Sequence, residues 1–113
     1  MVIGIMPDAA ATEILLNNLA EAEFDLASVS VLMHDAKKRA AIAEDAGPLK
    51  GVQLSDLASR LAQIGLAPGD VGPYCDAVNQ GQVLVAIAAS KAAEPAAREM
   101  LEDHTAKLIR GLL

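Results

Sequence analysis

The apolar residues of this chain gather into three short runs, each bounded by turn-forming residues. Val2 to Met6 is apolar apart from Gly4 and stops at Pro7-Asp8. A run this short with no polar side reads as a strand covered on both faces. Ala27 to Met33 alternates, with Val29, Val31 and Met33 set against Ser28 and Ser30, and ends at His34-Asp35. That pattern predicts a second strand. Gln82 to Ala89 (QVLVAIAA) predicts a third, again buried. Between the first two runs the period becomes helical: Thr12, Leu15, Leu16 and Leu19 recur along one face from about Ala9 to Ala22. Asp8 stands at the N-cap, where its carboxylate accepts from free N–H groups of the first turn.

Strand, helix and strand with short connections make a βαβ unit with a right-handed crossover. The first two strands should therefore be parallel, either adjacent or separated by one strand. Ala36 to Ala46 offers only Ile42 as a large apolar side chain and is followed by Gly47-Pro48, so it reads as a loosely packed helix or a loop. From Gln53 the pattern firms up. Leu54, Leu57, Ala58 and Leu61 mark one helical face, and Gly65 falls at a C-cap position. Pro68, Gly69, Gly72 and Pro73 delay the next helix, which is expected over Pro73 to Gln80, where a first-turn proline gives up no helical bond. A glycine turn at Gly81 leads into the third strand. A last helix is expected from about Ala92 to Leu112, with Ala97, Leu101, His104, Leu108 and Leu112 in line. The expected fold class is α/β (an α+β sandwich) in the order βαβ-(α)αα-β-α. It is a single domain over residues 1–113, a three-stranded sheet with helices mainly on one face.

Composition narrows what such a domain can do. The length of 113 residues suits one domain with a real core. Aromatic residues are only 2%, so the core is aliphatic, and a pocket that stacks bases or sugars on rings is not expected from Phe24 and Tyr74 alone. The net charge is −6, and the basic run Lys37-Lys38-Arg39 is too short to follow a phosphate backbone. Nucleic acid and anionic membrane are therefore not expected partners. A lone cysteine, Cys75, allows no internal disulfide and no Cys-rich zinc site, and fits a reducing cytoplasm. The opening MVIGIM enters a strand without a basic leader, so no secretory signal is expected. No apolar run approaches the roughly 20 residues of a membrane span.

The order of these features resembles the bacterial general stress (heat-induced stress protein) domain, a ferredoxin-like fold. Asp8 supplies the acidic cap, Phe24 precedes the second strand, and Gly65 opens the signature. Tyr74 falls where that family's helix tyrosine stands, Gly81 with Val83-Leu84-Val85 matches its turn and strand, and Glu99, Leu101 and His104 fit its last helix. The resemblance covers nearly the whole chain except a variable insertion at about 36–52. It departs at Pro68, one place late, at Gly72-Pro73 inside the tyrosine helix, and in the extension beyond His104. What it implies is stress association without established catalysis; no cofactor is expected.

Few residues suggest chemistry. With the first two strands parallel, Asp8, His34 and Asp35 emerge at the carboxyl end of the sheet, where open α/β sheets hold ligands, and an antiparallel third strand would add Gln80 and Gln82. Two carboxylates and an imidazole could hold a divalent metal or small ligand; the plainer reading is a helix cap and a strand end in solvent. His104, between Leu101 and Leu108, reads as a core or interface histidine. Tyr74 reads as a packing residue whose hydroxyl tethers a loop, and Cys75 has no flanking base to activate it. Met100, Leu108, Ile109 and Leu112 spread over more than one side of the long last helix, a surplus that marks an interface. The leading expectation is a non-enzymatic, stress-associated cytoplasmic domain acting as a homo-oligomer, a dimer by preference, or through a protein partner. The alternatives are a ligand- or metal-binding regulator using the carboxyl end of the sheet, and a small dimeric enzyme with His104 or His34 as base.

Overall fold

The computed structural model describes residues 1–112. Its strands are β1 (Val2–Met6), β2 (Val29–Leu32), β3 (Val83–Ile87) and β4 (Lys107–Gly111). Its helices are α1 (Ala9–Glu21), α2 (Ala36–Ile42), α3 (Leu57–Gln63), α4 (Pro68–Asn79) and α5 (Glu94–Asp103). The sheet runs β2-β3-β1-β4 with every neighbouring pair antiparallel. β1 and β2 are thus parallel to each other with β3 between them, the separated arrangement of the βαβ expectation.

The sheet has four strands, not three. The last helix ends at Asp103, and the chain turns back as β4 along β1, with Val2 opposite Gly111 and Ile3 opposite Arg110. The turn is a wrap-back cap: Thr105 takes φ +63°, its N–H bonds the Glu102 carbonyl at 3.2 Å, and the Ala106 N–H reaches Leu101 at 3.0 Å. Glycine usually takes that left-handed position. With threonine there, and with Leu101, Leu108 and Leu112 falling in helical register by coincidence, the stop is silent in the residue pattern.

Helices also cover both faces of the sheet, a second correction. Val2, Met6, Val29, Val31, Val83, Val85 and Ile87 face α1 and α5, packing on Leu15, Leu16, Leu19, Ala97 and Leu101. Ile3, Ile5, Leu32, Leu84 and Ala86 face the other way, onto Leu57, Leu61, Tyr74, Ala77 and Val78 of α3 and α4. The period-two alternation of apolar strands requires this, since each inward side chain on either face needs a cover. α4 starts at Pro68, not Pro73. Pro68 occupies the first turn, where no N–H is missed, and Pro73 forgoes a single bond one turn later with Gly69 and Gly72 open to solvent beside it.

Ala36 to Ala46 begins, as expected, as a helix without a buried residue, but the segment is tied to β2 by side-chain bonds. Ile42 and Ala43 pack against the first core while Leu49 is buried in the second, so the chain between them passes round the outer edge of β2. Ala88 donates to the Ser28 carbonyl across the β2–β3 pair, which turns the backbone groups of Val29 and Val31 outward. Arg39 Nε covers the Val31 carbonyl at 2.6 Å. Ser30 Oγ donates to the Ala46 carbonyl at 2.6 Å and accepts from the Leu49 N–H at 2.7 Å. Gly47, at φ +78°, lies so close that a Cβ would stand 2.6 Å from Ser30 Oγ and 2.7 Å from the Ser30 nitrogen.

Candidate functional site

At the carboxyl end of β1 and β2, the two candidate carboxylates are engaged in holding the backbone. Asp8 Oδ1 accepts from the Ala11 N–H at 2.8 Å, capping α1. Asp35 Oδ1 accepts from Lys37 and Lys38 at 3.0 and 3.1 Å, capping α2. His34 is exposed beside it, as is Gln80, and Gln82 is half-buried. Each carboxylate sits where its own helix needs an acceptor, and that need directs it away from a shared centre. Among the described residues no group of three or more His, Cys, Asp or Glu could hold a metal ion.

His104 lies at the C-cap of α5 with both ring nitrogens engaged. Nδ1 is 2.6 Å from the Met100 carbonyl, an acceptor only, so Nδ1 carries the hydrogen. Nε2 then accepts from the Asn18 amide at 2.7 Å, linking α5 to α1. Tyr74 is buried in the second core, 1% exposed, and its hydroxyl donates to the Leu108 carbonyl of β4. Burial pushes its phenol up to about 12, against a smaller opposing pull from Arg110. The tether holds the irregular part of β4, where Leu108 itself has φ +53°. Burial, with Asp76 nearby, likewise pushes the Cys75 thiol up, away from thiolate reactivity. Gly65 and Gly81 both take positive φ and close α3 and α4 with the same wrap-back bonds seen after α5.

Of the residues expected to form an interface, Met100 and Ile109 pack against the first core and Leu112 is buried in the second; Leu108 is 37% exposed. Shortening of the last helix removes the surplus apolar surface on which that expectation stood.

The residue pattern gave no notice of two features. One is the polar strap round β2. There Arg39 Nη2 meets Asp45 at 2.7 Å, and that hydrogen bond, followed by the one from the Gly51 N–H, holds the Asp45 carboxyl below its usual range. The other is a groove of about 500 Å3 on the first face, walled by Leu16 of α1, Leu26 and Val29 at the entry to β2, and Ile42 at the end of α2, with Glu44 at its rim. Alanines fill the remaining wall, and their small side chains are what leave the space open. The alanine-rich composition of 36–46 was the available signal, and it read as loose packing.

No protein-family model, curated protein or solved structure matches this chain. Among the described residues no helix is long and apolar enough to cross a membrane.

Proposed function

We propose that this chain is a non-enzymatic domain of the general-stress type, ferredoxin-like in fold, that works in the cytoplasm through self-association or a protein partner. The carrying observation is that, of the candidates for chemistry, Asp8, Asp35, His104 and Tyr74 are each hydrogen-bonded to groups that hold the fold, while His34 stands exposed at the surface. The ferredoxin-like reading is supported by the antiparallel order β2-β3-β1-β4 and by α1 and α5 lying on one face, after β1 and β3 respectively. In that reading α2 to α4 form an addition between β2 and β3, of which α3 and α4 cover the second face.

Association through the sheet edges is disfavoured. The strap covers β2, and β4 carries Lys107, Arg110 and a break in register, all features that blunt a free edge. The contact surface then falls to exposed aliphatic residues, Ile14 on α1 at 57%, Leu26 at 42% and, less so, Leu108 at 37% exposure. Sedimentation velocity over a wide concentration range tests this. A reversible dimer that Ile14→Asp or Leu26→Asp weakens is the expected result; a monomer at every concentration removes self-association.

A further inference from the structure

Beyond that reading, we propose that the groove between α1, the entry to β2 and the end of α2 binds the alkyl chain of a cationic amphiphile, a long-chain primary ammonium, with its head group at Glu44. Leu16, Leu26, Val29, Ile42 and five alanines supply the apolar part of the walls, backbone groups and the Glu44 carboxyl supply a polar part of nearly equal extent, and the volume of about 500 Å3 lies in the range of small-ligand pockets. A dry cavity of about 150 Å3 accepts a benzene, so this space takes a chain of about ten carbons with its head outside.

The rim sets the sign of the head group. Glu44 is the one acidic side chain in the lining, and among the described residues no lysine or arginine lines the groove. Arg39, the nearest cation in sequence to the end of α2, is turned to the Val31 carbonyl and to Asp45. The end of α2 adds free acceptors. α1, α3, α4 and α5 each end with an N–H wrapped back onto the last turn, whereas α2 leaves through an extended Ala43 at φ −151°. The Ala43 N–H closes on Arg39, and among the described residues no N–H closes on the carbonyls of Ala40, Ala41 or Ile42. Those acceptors and a carboxylate complement an ammonium and oppose a carboxylate head.

The test is a titration of decylammonium chloride, below its micelle concentration, into the methyl-labelled full chain, followed by NMR. Saturable shifts are expected at Leu16, Val29 and Ile42. Octylammonium should bind about fifteenfold more weakly, at about fourfold per methylene. Glu44→Gln should weaken decylammonium about tenfold, while Glu99→Gln on α5, the same charge change elsewhere, should leave it unaltered. Ala40→Leu changes no charge and keeps a good helix former, so it should block the groove without lowering the melting temperature. Equal binding of decanoate, wild-type affinity in Ala40→Leu, shifts that spread without saturating, or no shifts at all would each overturn the proposal.

Discussion

The two faces of the sheet are covered by helices of different kinds. On the second face α3 and α4 pack over Ile3, Ile5 and Leu84, and Tyr74, the only tyrosine, is buried among them and ties β4 through its hydroxyl. On the first face α1 and α5 pack on the centre of the sheet, but the alanines of the strap leave a groove beside β2. Beneath α3 and α4 the second face is closed, with clefts at its margins beside Val52 and beside Met1 and Leu112, whereas the first face keeps an opening against Leu16 and Val29. Polar residues follow the same division of labour: they cap, bridge and tether, and the surface left for contact is aliphatic.

The largest expected effect separates the faces directly. Leu61 is fully buried on the closed face, so Leu61→Ala leaves a new cavity and should cost about 4 kcal/mol in denaturant unfolding. Leu16 already borders open space, so Leu16→Ala adds little cavity and should cost only about 2 kcal/mol. Equal losses would erase the distinction. Next comes Gly47→Ala, which meets both the left-handed backbone and the β2 strand; about 3 kcal/mol of stability should go, with the Leu49 and Gly51 amides losing exchange protection first. If stability is unchanged, the strap is not seated on Ser30.

Alkaline pH probes the closed face alone. The folded chain holds the Tyr74 phenol protonated up to about 12, while an unfolded chain releases that proton near 10.0. The stabilisation is therefore whole below pH 10 and lost as pH climbs toward 12, a change of at most about 3 kcal/mol. With no tryptophan and one tyrosine in the chain, absorbance at the tyrosinate band reads this site by itself. A midpoint near 10 in folded protein would mean that the phenol is open to water.

How much was legible follows from local signals. The first three strands and their apolar faces could be read because period-two alternation and boundary residues leave a mark. Helix ends divide sharply. α3 and α4 stop at Gly65 and Gly81, which take the left-handed cap with no Cβ penalty, and both were readable as turns. α1 and α5 stop in the same geometry at Glu23 and Thr105, residues that carry no such signal, and β4 was missed with the second of them. Thr105→Gly should thus raise stability by about 1 kcal/mol, the smallest effect here, and a loss instead would mean that the threonine side chain supports the turn. Asp8, His34 and Asp35 were rightly placed at one end of the sheet. The Asp8 cap was legible ahead of the Leu15-Leu16-Leu19 stripe; the Asp35 cap was not, because Ala36 to Ala46 has too few large apolar residues to mark a helix. The groove was hidden for a related reason: it is a product of small side chains brought together by the strap.

Xenon enters apolar space without regard to charge, so it tests the contrast between the faces most directly. Methyl spectra recorded under xenon pressure should shift at Leu16, Val29 and Ile42 and stay fixed at Ile5, Leu61 and Val78. Shifts at Leu61 and Val78, or none at Leu16 and Ile42, would contradict the account of a closed centre beneath α3 and α4 and an open groove beside β2.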